Sequence, residues 1–285
     1  DVSDAAGNAA AQVTSSSFTV DTTAPTVLYI TGAESNGTFK AGDVINISAR
    51  LSEVITVTGT PQLTLNVGST YDVDYSSGTT TEYLNFAYTV QAGHTSADLD
   101  YASTSALALN SGTITDAAGN AAVLTLASPG ATNSLSSFRD YVIDTTAPTI
   151  TGTTIASNNS TISVTLSEAV YDTNGGSGAL EVGDFVLSIS GGSATVAATP
   201  SSISSSGNVY TLGLTLSGTP NGSETLTVNP ASSSIYDAVG NAASTTQSNN
   251  TVSLNDKAAP TLSSVAIASN NTTTTLAKVD DVVTL

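Results

Sequence analysis

The side chains with chemistry to offer in this 285-residue chain are carboxylates set in two recurring phrases. Asp-Ala-Ala-Gly-Asn stands at Asp4–Asn8 and Asp116–Asn120, and Asp-Ala-Val-Gly-Asn at Asp237–Asn241. Asp-Thr-Thr-Ala-Pro stands at Asp21–Pro25 and Asp144–Pro148, with a variant at Asp256–Pro260. A third, shorter phrase, Leu-Ser-Glu, occurs at Leu51–Glu53 and Leu166–Glu168. If these carboxylates meet, they form an all-oxygen set that suits a hard cation. Ca2+ takes six to eight oxygens at about 2.3–2.6 Å and tolerates irregular geometry. Zinc or copper has no ligand set here, because the chain has one histidine and no cysteine.

The phrases also measure the chain. Pro25 to Pro148 spans 123 residues and Pro148 to Pro260 spans 112; Asp4 to Asp116 is 112 and Asp116 to Asp237 is 121. A period this long belongs to independent domains, not to solenoid repeats. The expected division is 1–24 as the last strands of one domain, 25–147 and 148–259 as complete domains, and 260–285 as the first strands of another. Such a window resembles one cut from a longer array.

Composition narrows the class. Ser, Thr, Ala, Gly, Asn and Val dominate, which favours strands and turns. Asp and Glu number 23 against 5 Lys and Arg, a net charge of −18. That excess repels phosphate backbones, so no nucleic-acid partner is expected, and it attracts divalent cations or serves solubility. No apolar run approaches the roughly 20 residues of a membrane-spanning helix. Period-two alternation marks strands at Val44–Ala49, Gln62–Val67, Tyr71–Tyr75, Leu84–Val90, around Leu107 and Ile114, and at Val123–Leu126 and Tyr141–Ile143. The second repeat reads similarly at Thr161–Leu166, Phe185–Ile189, Ala194–Ala197, Val209–Leu216, Thr225–Val228 and Thr251–Leu254. The fold class expected is all-β, with tandem immunoglobulin-like β-sandwiches of about seven strands each in an extended array.

Gly42-Asp43-Val44-Ile45, Leu-Ser-Glu, Asp-x-x-Gly-Asn and Asp-Thr-Thr-Ala-Pro, in that order at domain spacing, resemble the bacterial immunoglobulin-like repeats of giant secreted adhesins and related surface proteins. The second repeat departs from the pattern: it lacks Gly-Asp-Val-Ile and has Leu180-Glu181-Val182-Gly183-Asp184-Phe185 further on. The resemblance implies a non-catalytic extender segment, located extracellularly or at a bacterial cell surface, whose partners are neighbouring domains of the same chain and whose joints are rigidified by Ca2+. An alternative is a self-assembling filament or surface layer in which identical chains complete one another by strand addition.

Strand direction places the carboxylates. If successive strands alternate in direction, Leu51-Ser52-Glu53 closes the second strand at the pole where the linker comes in, and Asp116–Asn120 turns at the same pole. Asp21, Glu53, Asp116 and Asn120 are therefore expected to converge as metal ligands, and Asp144, Glu168, Asp237 and Asn241 one repeat later. Plainer readings stand beside this one: Asp-x-x-Gly-Asn makes a good turn unaided, the linker Asp can cap a strand, and Glu53 and Glu168 can be ordinary exposed glutamates. Asp98 and Asp100 are a secondary candidate pair, placed to reach Asp144 from the opposite pole. No catalysis is expected. His94, in the turn-like Gln91–Thr95, reads as a solvated loop histidine, and Asn174–Gly178 lacks the lysine and helix of a phosphate loop. Thr272–Thr275 does not recur at the coil spacing an ice-binding surface needs. With no Trp and ten scattered Tyr, no aromatic sugar platform is expected.

Overall fold

The computed structural model describes residues 2–11, 17–262, 264, 268–269, 279 and 283–284. Two compact units emerge, Asp1–Thr146 and Ala147–Leu285, each with its own hydrophobic core. Thr272–Thr275 and most of 261–285 lie outside the described residues.

The first unit is built from β1 (Val27–Gly32), β2 (Gly37–Phe39), β3 (Val44–Thr58), β4 (Gln62–Asn66), β5 (Thr70–Ser77), β6 (Thr81–Thr89), β7 (Thr95–Ser96), β8 (Asp100–Tyr101), β9 (Leu107–Ala108), β10 (Thr113–Thr115), a one-turn helix α1 (Leu135–Phe138) and β11 (Tyr141–Asp144). One antiparallel sheet runs β1-β3-β6-β5-β4-β8, with β10 on β3 and β9 on β4. The second is β2-β11-β7, in which β11 lies parallel to β2 and antiparallel to β7. Alternation fills the core as the sequence pattern demands: Leu84, Phe86, Tyr88 and Val90 of one face are all buried, and Ile45, Ile47, Ala49 and Leu51 face them from β3. Tyr141 is fully buried and its hydroxyl donates to the Glu34 carbonyl at 2.7 Å. Its ring lies where a Cβ on Gly32 would stand, so that position accepts no side chain.

The second unit includes β12 (Ile150–Ile155), β13 (Thr161–Leu166), a 3-10 turn (Val182–Asp184), β14 (Phe185–Ser190), β15 (Thr195–Val196), β16 (Ile203–Ser206), β17 (Val209–Gly213), β18 (Leu216–Ser217), β19 (Thr225–Pro230), β20 (Thr251–Ser253), β21 (Ala268–Ser269) and β22 (Val283–Thr284). Its sheets are β12-β13-β17-β16, β14-β19-β20 and the pairs β15-β18 and β21-β22, all antiparallel. The chain is all-β with sandwich-like sheets.

Two strand expectations need correction. The strand holding Leu51-Ser52-Glu53 does not close there; β3 runs on to Thr58, because Ile55 turns back into the core and Thr56–Thr58 find a new partner in β10. What lapses at the phrase is pairing with β6, which skips from Arg50 to Ile55. Val123–Leu126 forms no ladder beyond a single parallel bridge from Val123 to Thr26. Leu126 is buried all the same, so the apolar alternation reports packing rather than backbone pairing. Phe86, 1% exposed at the middle of the first core, gives a direct check. Phe86→Ala should cost about 3–5 kcal/mol in the first unit, while hydrogen-exchange protection of Leu212 and Val228 stays unchanged.

Candidate metal centre

The Asp-x-x-Gly-Asn phrase folds the same way three times. A hairpin-like turn is closed by Asp N–H to Asn carbonyl bonds at 3.0, 3.1 and 3.2 Å for Asp4, Asp116 and Asp237, and by a flanking bridge in each case. The glycine has φ of +84°, +95° and +97° in Gly7, Gly119 and Gly240, the left-handed region that a side chain resists. The Asp carboxylate accepts from the Asn of its own turn twice. For Asp116 these bonds are Asn120 N to Oδ1 at 2.8 Å and Asn120 Nδ2 to Oδ2 at 2.7 Å. For Asp237 they are 2.8 and 2.7 Å, with Val239 and Gly240 N–H added at 2.9 and 2.7 Å. Both carboxylates are buried. Burial opposes the charge on Asp116, yet the hydrogen bonds from the Asn120 side chain and backbone and from the Gly119 and Ala118 amides outweigh it. They hold the carboxyl below its usual range.

The linker phrase is an Asx-turn each time: Asp21 accepts from Thr23 N at 3.0 Å, Asp144 from Thr146 N at 2.9 Å and Asp256 from Ala258 N at 2.8 Å. The threonine just after the proline is gripped by the serine of Leu-Ser-Glu. Thr26 N donates to Ser52 Oγ at 3.0 Å and Ser52 N returns a bond to the Thr26 carbonyl at 2.9 Å. Thr149 and Ser167 repeat the pair at 3.0 and 2.8 Å. Each letter of the phrase thus has work: Leu51 and Leu166 fill the cores, the serine holds the linker, and the glutamate points beside the buried Asp.

In the first unit the structure brings Asp21, Glu53 and Asp116 together, each offering an oxygen within 4.8 Å of the others. Two oxygens bound to one Ca2+ stand at most about 5 Å apart, so the spacing admits a common ion. Asn120 sits with them, but its Nδ2 is spent on Asp116 and, at 3.2 Å, on the Asp21 carbonyl, so this nitrogen fastens the turn to the linker. Burial, and then the Asp116 and Asp21 charges, push Glu53 above its usual range. In the second unit Glu168 and Asp237 likewise offer oxygens within 4.8 Å of each other, and Asn241 serves the Asp237 turn. Asp144 is the last residue of β11 in the first unit.

Other residues stand differently from their sequence reading. His94 is half-buried rather than solvated: it stacks on Tyr88 with centroids 5.9 Å apart, meets the Tyr71 ring edge-on at 4.7 Å and shares a 2.9 Å hydrogen bond with the Tyr88 hydroxyl. Burial lowers its pKa. Its carbonyl accepts from Thr145 Oγ1 at 2.9 Å, so this turn holds the outgoing linker phrase. The Asp100 carboxylate is taken up locally by Tyr101 N, Gly130 N and the Ser136 hydroxyl. The tyrosines are not all scattered: Tyr29, Arg50 and Tyr83 form one cross-strand row, with the guanidinium 5.4 Å from the Tyr83 centroid, paired to Glu82, and Phe138 against Tyr29. Glu224, fully buried and unremarked in the sequence, accepts from Ser193, Ala194 and Asn221 N–H at 3.0, 3.2 and 2.9 Å. Its place in a strand-rich Ser/Thr context gives no sequence signal; only the amide cage identifies it.

Compared with known proteins, the chain matches no family model, no curated protein and no solved structure.

The raised Glu53 sets a sign. Without a cation, the folded state holds this proton more tightly than the unfolded chain, so the contribution of Glu53 to stability falls as pH rises from its ordinary value through its raised one. Side-chain NMR titration in chelator should show Glu53 releasing its proton later than Asp116, with the Glu53 midpoint moving down on addition of Ca2+. A Glu53 midpoint unmoved by Ca2+ would contradict the shared site.

Proposed function

We propose that the chain is a non-catalytic extender segment of a large bacterial cell-surface or secreted adhesin: tandem immunoglobulin-like sandwiches in which Ca2+ fastens each incoming linker to the domain it enters. The observation that carries the reading is the Asp21–Glu53–Asp116 cluster, drawn from a linker, a strand and a turn of the first unit. The donor set is all oxygen, and it concentrates three acidic groups on a chain whose net charge is −18. Asp116 is held ionised by its own turn, and Asp21 and Glu53 come to it from other parts of the chain. A cation supplies the positive charge that removes their repulsion, and would draw in the exposed segment around Asp21. In the second unit Glu168, Asp237 and Asn241 repeat the Glu53, Asp116 and Asn120 part of the set, and the resemblance to adhesin repeats supplies the extracellular, surface-projecting role.

Calorimetric titration of the chelator-stripped chain tests this. Ca2+ should bind, and at about 100 Kd it should add about 2.7 kcal/mol of stability per site, seen as a higher melting temperature. Glu53→Gln should weaken that binding about tenfold or more while leaving the Ca2+-free melting temperature unchanged or higher, because it removes a repelling charge. No heat of Ca2+ binding, together with a melting temperature indifferent to chelator, would overturn the proposal.

A further inference from the structure

Basic side chains are scarce, five Lys and Arg in 285 residues, so an endopeptidase that cuts after a basic residue has few places to act. One of them falls in a linker phrase. Where the first two copies read Asp21-Thr22-Thr23-Ala24-Pro25 and Asp144-Thr145-Thr146-Ala147-Pro148, the third reads Asp256-Lys257-Ala258-Ala259-Pro260. A protease takes its substrate as an accessible, extended stretch, and the scissile carbonyl must be free to enter the oxyanion hole.

The described basic residues differ in just these respects. Lys40 sits at a tight turn: its N–H donates to Asp43 Oδ2 at 2.9 Å, its carbonyl accepts from Asp43 N at 3.1 Å, and Gly42 N–H donates to the Val90 carbonyl at 2.9 Å. Arg50 lies inside β3 with β1 on one side and β6 on the other, its guanidinium paired to Glu82. Arg139 gives Nε to the Gly32 carbonyl at 2.8 Å and its N–H to the Leu135 carbonyl at 3.0 Å, and two residues on Tyr141 is fully buried. Lys257 stands apart. Residues 256–262 are all exposed and belong to no strand. Two hydrogen bonds hold the backbone there, Lys257 N–H to the Pro220 carbonyl and Ala258 N–H to Asp256 Oδ1, each at 2.8 Å. The Lys257 carbonyl accepts no backbone N–H, and its ammonium has no ion-pair partner, among the described residues.

We propose that Lys257–Ala258 is a proteolytic processing site for endopeptidases whose specificity pocket carries a carboxylate. Water adds across the peptide bond, the C–N bond breaks, and the products are the Lys257 carboxylate and the Ala258 amine. The cut falls beyond β20 and beyond Leu254, the last core residue, so both hydrophobic cores stay whole. Thr22 and Thr145 deny the same enzymes the other two linkers. One linker of the three is thus the place where this chain is parted.

The test is a time course of the intact chain with a low amount of trypsin, in native buffer and in urea, read by mass spectrometry. In native buffer the cut after Lys257 should run at least about tenfold faster than those after Lys40, Arg50 and Arg139. Opening even one further hydrogen bond costs about that factor in the population that a protease meets. A fragment ending at Lys257 should therefore accumulate. In urea the four rates should converge, which shows that the fold and not the local sequence ranks them. Lys257→Thr, which restores the phrase, should abolish this cut and leave the melting temperature unchanged. A native cut at Lys40, Arg50 or Arg139 as fast as that at Lys257 would overturn the proposal. So would a Lys257–Ala258 bond that stays intact in the native chain and is cut in urea.

Discussion

A buried carboxylate that its own turn keeps ionised is the constraint around which the first unit is arranged. Asp116 gives up water, and burial alone would raise its pKa. The Asn four residues on supplies a backbone and a side-chain N–H, and the glycine between them takes the left-handed conformation that brings those donors round. The charge is thus fixed in place before anything else approaches. Asn120 then extends the arrangement outward, by binding the Asp21 carbonyl of the linker. Glu53 comes alongside because β3 loses β6 as a partner at the very residues that grip Thr26. Turn, strand and linker meet at one carboxylate.

The same logic explains why a chain so short of basic residues tolerates this. The buried carboxylates Asp100, Asp116, Glu224 and Asp237 each accept backbone N–H bonds and none is held by an ion pair. Amide donors cost no long side chain and are insensitive to salt, unlike surface pairs. Glu53 breaks the pattern. Burial, and then the Asp116 and Asp21 charges, raise its pKa, and the proposed function has a cation offset those charges.

Much of this was legible in the residues. Alternation at Leu84, Phe86, Tyr88 and Val90 and at Ile162, Val164 and Leu166 marked strands and their inward faces, because period two is a geometric property of the pleat. The recurring phrases singled out Asp21, Glu53 and Asp116, which offer oxygens within 4.8 Å of one another, although the strand end expected at Glu53 does not exist and β3 runs on to Thr58. The end of β3 was not legible, since whether a β-branched run continues depends on a partner, here β10, found some 55 residues away in the Thr58–Thr113 contact. Ser52 and Ser167 were hidden because serine abounds in this chain and only a backbone partner singles one out. His94 looked solvated because its neighbours in sequence are polar, whereas its neighbours in space are Tyr71 and Tyr88. Nor does a phrase reveal that one amide nitrogen of Asn120 closes a turn and ties down a linker at once.

A linker held to its turn by charge supplied from solution should loosen when that charge is withdrawn. Backbone 15N relaxation of Val20–Thr23, measured with Ca2+ and with chelator, tests this most directly. Order parameters should rise to about 0.85 with Ca2+ and fall well below that value without it. Identical order parameters in the two conditions would contradict the proposed joint.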